Sequence, residues 1–192
     1  MRELSLHLLD IAENSLAAGG RNIAMTVSED LIRNRLFLSV QDDGKGMDPQ
    51  TVIQVTDPFV TSRTTRKVGL GLPLLKEAAE ACKGFLRIQS TQGAGTLVEV
   101  EFQHNHIDRM PLGDIAATWL TLLISSPDTH WTFHYRVNEQ EFVFDDLPVK
   151  QELRGIPLSE PEVLTFLRAY LMNGIAGLHQ EASLPAVFDY SH

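Results

Sequence analysis

The chain has 192 residues, of which 43% are hydrophobic and 21% are charged, a composition typical of a soluble globular protein. Its formal net charge of −9 argues against a nucleic-acid-binding surface. The single cysteine, Cys82, excludes an intrachain disulfide and fits a reducing compartment. Because no signal peptide and no apolar run of membrane-spanning length is evident, we expect a cytoplasmic protein without its own membrane anchor.

Aliphatic residues at helical spacing predict a first helix over residues 3–18, ended by Gly19 and Gly20. Asp10 and Asn14 are four residues apart and therefore share one face of that helix. Such a pair is common on any solvated helix. It also offers a carboxylate that can polarise a water and an amide oxygen that can ligate Mg²⁺, a metal that takes oxygen ligands.

Residues 21–27 and 35–40 alternate in the manner of strands and predict a hairpin that delivers Asp42 to the end of a sheet. Gly44 and Gly46 follow directly. Because glycine has no Cβ, these positions allow a sharp turn and the close approach of a ligand. The alternative interpretation is an ordinary Asp-Gly turn.

Residues 48–55 predict a short helix, with Asp48 as N-cap and Pro49 at the first helical position. The polar segment over residues 59–68 carries three cations. It is either a solvated loop or a mobile lid whose cations reach the phosphates of a bound ligand.

An amphipathic helix is predicted from Leu72 to Gly84, with Pro73 in its first turn, where the missing N–H costs little. The pair Gly69 and Gly71 precedes it. Glycines at a helix N-terminus offer unpaired N–H donors and a positive dipole end to an anion.

Residues 85–90 and 96–102 predict a second hairpin, joined by residues 93–95. The order of elements is then helix, strand, strand, helix, lid, helix, strand, strand. This order indicates an α+β fold, a two-layer sandwich with helices on one face of a mixed sheet.

Five segments, in order along the chain, resemble the sequence boxes of the ATP-binding domain of the GHKL superfamily, which includes gyrase, the heat-shock chaperone ATPase, histidine kinases and the mismatch-repair ATPase. The segments are an N-box at 10–19, a G1 box at 42–47, an F-box at 57–59, a G2 box at 69–72 and a G3 box at 93–96. The resemblance covers residues 1–103. It implies a Bergerat ATP-binding fold with ATP and Mg²⁺ as ligands.

The resemblance also implies a role for each matching position. Asn14 would hold Mg²⁺, and Asp10 would stand where the gyrase and mismatch-repair branch has a glutamate general base. Asp42 would accept a hydrogen bond from the adenine amine, supported by Thr96. The other nucleotide contacts would be Gly44, Gly46 and Met47 beside the adenine and ribose, Gly69, Leu70 and Gly71 at the phosphates, and Arg63, Arg66 and Lys67 at the γ-phosphate.

The chain departs from the family pattern at some of these positions. Asp10 is one methylene shorter than glutamate, and Lys67-Val68 stands where many relatives have Gly-Thr. A complete histidine kinase has a helical hairpin with a phosphoacceptor histidine before this domain, whereas only nine residues precede Asp10 here. We interpret His7, inside the first helix, as a packing or surface residue rather than a phosphoacceptor.

Residues 104–192 resemble no family and predict a small C-terminal α+β unit. Its elements are a helix at 113–123 opened by Asp114, a hairpin of 130–137 and 141–144, and helices at 145–153 and 160–172, the last with Ser159 as N-cap. His130 and His134 would form a ligand pair on a helix, but on a strand their spacing places them about two pleats apart. We therefore expect no metal other than Mg²⁺.

Three functional hypotheses follow. The first is a stand-alone signalling kinase or ATPase acting on a partner protein in trans, in the manner of the anti-sigma-factor kinases. The second is a nucleotide-gated protein-binding module without significant turnover, in which residues 104–192 dock the partner. The third, a nucleotide-free scaffold, is disfavoured because Asn14, Asp42 and both glycine pairs are retained.

Overall fold

A computed structural model of the protein describes residues 3–56 and 71–182. The helices are α1 (Leu4–Ala17), α2 (Pro49–Thr56), α3 (Gly71–Ala81), α4 (Ile115–Ser125), α5 (Asp146–Leu153) and α6 (Pro161–Ala182). The strands are β1 (Asn22–Asp30), β2 (Arg35–Asp42), β3 (Phe85–Thr91), β4 (Gly95–Gln103), β5 (His130–Val137) and β6 (Gln140–Asp145).

The six strands form one mixed sheet in the order β3-β4-β2-β1-β5-β6. Neighbouring strands are antiparallel, except that β5 runs parallel to β1. The strands of the C-terminal part therefore extend the sheet formed by the N-terminal part. The division of the chain at residues 103 and 104 stays a prediction.

Alternating apolar residues give the sheet one continuous buried face. Met25 of β1 is paired with Val40 of β2 and with Phe133 of β5, and all three side chains are almost fully buried. Residues of the other face, such as Thr26 and Ser39, are mostly polar and only partly buried. The alternation expected for a half-buried sheet thus holds across the central strands.

Helices cover the apolar face. α1 contacts β2, α3 and α4, and α4 contacts α6. Trp119 of α4 stacks on Phe133 of β5 with ring centroids 4.7 Å apart, and Phe133 stacks in turn on Phe144 of β6. These contacts bury the C-terminal helices and strands in the same hydrophobic core as α1 and α3. The predicted α+β sandwich with helices on one face is confirmed.

The N-caps predicted at the second and fourth helices are also present. The Asp48 side chain accepts hydrogen bonds from the backbone N–H groups of Gln50 and Thr51. Asp114 accepts one from Ala117. Each satisfies donors that a helix leaves free in its first turn.

The last helix differs from its prediction at both ends. It begins at Pro161, so Glu160 rather than Ser159 lies at the N-cap position, and it continues to Ala182 instead of ending at residue 172. Within the part beyond residue 172, a Cβ at Gly174 would overlap the ring of Phe142 on β6. This glycine allows the helix to approach the sheet closely. None of the helices in residues 3–56 and 71–182 is long and apolar enough to cross a lipid bilayer.

Candidate functional site

A pocket of about 400 Å³ lies between α1 and the start of α3. Asp10, Glu13 and Asn14 from α1 and Gly71 and Leu72 from α3 are among the residues that line it. The three polar side chains are exposed, because they lie on the face of α1 opposite its buried stripe. The pocket therefore combines two carboxylates and an amide with the first turn of a helix.

Helices α1 and α3 approach each other closely at Gly71. A Cβ at this position would lie 3.6 Å from Oδ2 of Asp10, which is ordinary van der Waals contact. The first N–H groups of α3 have no partner within the helix and carry the positive end of its dipole. Asp10 thus lies beside a helix terminus suited to an anion, on the same pocket wall as Asn14.

Asp42, at the end of β2, is only 7% exposed and is held by two donors. Its Oδ2 accepts a 2.6 Å hydrogen bond from Oγ of Ser15, and its Oδ1 accepts a 2.8 Å bond from the backbone N–H of Gly44. A carboxylate has about four lone-pair sites, so Asp42 retains acceptor capacity for a further donor. Ser15 follows Asn14 in α1 and joins the carboxylate to the helix that forms the pocket.

Asp42 itself is not among the described residues that line the pocket. Its connection to the pocket runs through the Ser15 hydroxyl and through the loop after β2. In that loop the backbone N–H of Lys45 donates to the carbonyl of Ala18, just beyond α1. The strand end and the helix are therefore fixed to each other at two points.

The loop after β2 packs on the turn between β3 and β4. Gly46 has a φ of +64°, and a Cβ there would overlap the carbonyl oxygen of Thr91. The backbone N–H of Met47 donates to Oγ of Ser90 at 2.8 Å. A tight backbone contact within the protein accordingly requires glycine at position 46.

Thr96 is the strand partner of Asp42 across β2 and β4. Its Oγ1 lies 2.9 Å from Oγ of Ser90. The structure thus places Thr96 beside Asp42, with its hydroxyl in contact with that of Ser90.

Asp43 anchors the same loop to the start of β1. Its Oδ1 accepts from the backbone N–H groups of Arg21 and Asn22, at 2.7 and 3.0 Å, and its Oδ2 accepts from Nδ2 of Asn22 at 2.6 Å. Hydrogen bonds from the Asn22 backbone and side chain lower the pKa of Asp43 from 3.8 to about 2. This carboxylate is ionised at neutral pH and ties the loop after β2 to the start of β1.

Several predicted site residues lie outside the described parts of the chain. They are Arg63, Arg66, Lys67, Gly69 and Leu70, together with the F-box at 57–59. Their roles at the phosphates stay predictions.

Other residues of the site were not predicted. Glu13 adds a second carboxylate to the pocket, and His7 also lines it, although it is only 4% exposed. Ser15, Ser90 and Asn22 position the acidic loop through hydrogen bonds. The only signal for Ser15 was its place next to Asn14 on the buried stripe of the first helix.

The mixed sheet with its helical layer and the pocket between α1 and α3 are those of an α+β sandwich of the Bergerat type. The chain belongs to the family described as histidine kinase-, DNA gyrase B- and HSP90-like ATPase, whose sequence model matches residues 1–106. The GHKL resemblance is thereby confirmed.

Two proteins of similar sequence are consistent with this family assignment. The chain is 31% identical over 103 residues to a putative sensor protein of Shewanella frigidimarina, a match covering 53% of this chain and 16% of that protein. It is 35% identical over 115 residues to the cell-division control histidine kinase PdhS of Brucella anthropi, covering 53% of this chain and 11% of the relative. The chain therefore matches only a small part of the length of these relatives.

One solved structure extends the comparison beyond residue 106. The crystal structure of the N-terminal domain of a DNA repair protein superposes with a TM-score of 0.55 at 12% identity. The superposition covers 91% of this chain and 57% of that one. At this identity the likeness concerns the fold alone.

Proposed function

We propose that this protein is a Mg·ATP-binding signalling kinase or ATPase that acts on a partner protein in trans. The observation that carries the proposal is the 2.6 Å hydrogen bond between Ser15 and Asp42. It joins a buried acidic strand end to the helix face that bears Asp10 and Asn14. One rigid unit can therefore hold both ends of a nucleotide.

Asp42 is proposed as the adenine acceptor. It is buried and positioned by two donors, and it has lone pairs left for an exocyclic amine. A fixed, desolvated acceptor discriminates strongly among ligands, because an unmatched ligand leaves it unpaired.

The triphosphate is proposed to lie in the pocket between α1 and α3. The N-terminus of α3 at Gly71 supplies unpaired N–H groups, and Asn14 supplies an amide oxygen on the facing wall. The amide oxygen of Asn14 suits Mg²⁺, which takes oxygen ligands, keeps several waters and would share phosphate oxygens with the protein. When bound, the ion neutralises charge on the β- and γ-phosphates.

Phosphoryl transfer depends mainly on positioning and on neutralisation of charge at the γ-phosphate. Asp10, beside the α3 terminus, is proposed as the general base that takes a proton from the attacking water or partner hydroxyl. Glu13 lies on the same pocket wall and is one methylene longer, so it is the competing candidate. The partner that would supply the hydroxyl is proposed to bind in trans.

A second candidate function is a nucleotide-gated binding module with negligible turnover. It is favoured by the setting of Asp10, which is exposed and carries one methylene fewer than the glutamate base of the gyrase and mismatch-repair branch. A shorter side chain reaches less far toward an attacking water or hydroxyl. In this alternative, ATP binding changes the surface offered to a partner and no phosphoryl group is transferred.

Single-turnover release of phosphate from γ-labelled ATP tests the two candidates. If Asp10 is the base, Asp10→Asn lowers the rate about 100-fold or more while Mg·ATP affinity changes little. Glu13→Gln is the matched control, since it removes a neighbouring pocket carboxylate, and it should retain the wild-type rate.

The other outcomes assign the roles differently. A rate that survives Asp10→Asn but falls with Glu13→Gln makes Glu13 the base. Tight ATP binding with no phosphate release, alone or with candidate partner proteins, favours the binding module over the enzyme.

A further inference from the structure

A second cluster of potential ligands lies outside the pocket, where β5 begins and β6 passes into α5. His130, Asp145 and Asp146 each offer one ligand atom here, and the three atoms lie within 4.8 Å of one another. The sequence suggested only His134 as a partner for His130. The antiparallel pairing of β5 and β6 instead brings Asp145 and Asp146, which are 15 and 16 residues further along the chain, close to His130.

Asn22 fixes the orientation and the proton position of the histidine ring. Its Nδ2 donates to Asp43, so its Oδ1 is the atom that faces Nδ1 of His130, at 3.0 Å. An amide oxygen only accepts, and Nδ1 must therefore carry a hydrogen. In the neutral ring, Nε2 then presents its lone pair to Oδ1 of Asp145, 3.1 Å away. A metal ion that binds both atoms would accept these two lone pairs.

Asp146 supplies the buried ligand. Its side chain is 0% exposed, and its Oδ1 has no hydrogen-bond donor among the described residues. Its Oδ2 is paired with Nζ of Lys150 at 2.6 Å, and the same ammonium donates to the carbonyl of Thr129. A buried carboxylate oxygen without a donor is costly unless something binds it.

The net charge of the cluster and the types of its ligand atoms indicate which kind of ion it would bind. With His130 neutral, the two carboxylates and the Lys150 ammonium leave one net negative charge at the cluster. One imidazole nitrogen with two carboxylate oxygens suits divalent first-row transition ions such as Zn²⁺ better than Mg²⁺ or Ca²⁺, which prefer oxygen alone. The Nδ1 hydrogen bond to Asn22 is the outer contact by which proteins usually orient a ligating histidine.

We propose that His130, Asp145 and Asp146 form a binding site for a divalent transition-metal ion of the Zn²⁺ type. The ion ties the β6–α5 junction to the start of β5. Through Asn22 and Asp43, the same site is connected to the loop that holds Asp42. The role is structural, because no pocket residue belongs to the cluster.

The test is calorimetric titration of Zn²⁺ into the chelator-treated full chain without nucleotide. We expect one equivalent to bind at this site, and His130→Gln to weaken that binding at least tenfold. His134→Gln is the matched control, since this histidine lies on the same strand and also faces a carboxylate, Glu141 at 3.2 Å. It should bind Zn²⁺ as the wild type does.

A second variant separates loss of metal binding from loss of folding. Asp145→Asn keeps a side chain able to cap α5, so it should fold, and it should also weaken Zn²⁺ binding. Circular dichroism melts without metal verify that each variant is folded, and Mg·ATP titration shows whether the nucleotide site is intact. No Zn²⁺ binding by the wild type, or equal binding by His130→Gln and the wild type, overturns the proposal without affecting the proposed nucleotide function.

Discussion

Replacing Ser15 with alanine tests how the acidic strand end is held. The substitution removes the donor of a 2.6 Å hydrogen bond to Asp42. Ser15 is 5% exposed and Asp42 is 7% exposed, so water has little access to replace the lost donor. The backbone N–H of Gly44 remains as the other donor.

The expected loss of stability follows from the negative charge on Asp42, the acceptor of this hydrogen bond. Hydrogen bonds to charged groups contribute about 1.5–3 kcal/mol, and we expect Ser15→Ala to lower the free energy of unfolding by that amount. If Asp42 also selects adenine, its looser position should weaken Mg·ATP binding about tenfold, equivalent to ~1.4 kcal/mol. Urea denaturation measures the first effect and calorimetric titration the second.

Ser5→Ala is the matched control for this substitution. Ser5 lies on the same face of α1 and is 2% exposed, but its side-chain hydrogen bond to Glu3 is 3.5 Å long and therefore weak. It is also ten residues, about 15 Å, from Ser15 along the helix. Equal stability and equal ATP affinity in the two variants would refute the positioning role of Ser15.

Two further predictions concern charged groups elsewhere in the fold. Because folding lowers the pKa of Asp43 to about 2, this carboxylate stabilises the protein above pH 4, and the effect is lost as the pH falls toward 2. The stability difference between the wild type and Asp43→Asn should therefore be constant from pH 5 to 8 and shrink below about pH 4 in urea melts; a difference that persists at pH 2 would contradict this. Tyr135→Phe should cost about 1–3 kcal/mol, because the buried phenol donates a 2.6 Å hydrogen bond to Glu29. Burial and the Glu29 charge raise the pKa of Tyr135, so this contribution should hold through neutral pH and decline above about pH 10, where tyrosine ionises in the unfolded chain; a flat profile to pH 11 would argue against it.

Local signals in the sequence predicted most of the secondary structure. Helical periodicity predicted α1 and α3, and strand alternation predicted the hairpins. Capping residues such as Asp48 and Asp114 indicated where helices begin. These features depend on neighbours within a few residues, which sequence patterns record directly.

The structure added features that depend on contacts distant in sequence. The parallel pairing of β1 with β5 joins residues more than 100 positions apart, and no local pattern specifies it. The last helix continues past residue 172, where it was predicted to end, and at Gly174 it packs closely against Phe142 on β6. Such packing against a distant strand is not recorded in the local sequence pattern.

Prediction of the candidate site from the sequence meets the same limit, because its hydrogen bonds also join residues distant in the chain. Asp10, Asn14 and Asp42 were predicted as site residues from residue type and order along the chain. Ser15 and Asp42 are 27 residues apart, so their hydrogen bond could be recognised only after the helix was packed on the sheet. The sequence therefore suggested ligands but not the side chains that position them.

The most direct test of the nucleotide site is a calorimetric titration of Mg·ATP into the wild type and Asp42→Asn. Asparagine preserves the shape of the side chain but replaces one acceptor oxygen with an NH₂ donor. Either the adenine amine or the Ser15 hydroxyl then loses its hydrogen-bond acceptor. We predict binding by the wild type and a loss of about 1–3 kcal/mol in the variant, roughly 5- to 150-fold in Kd. Equal affinity in a variant that melts like the wild type would contradict it.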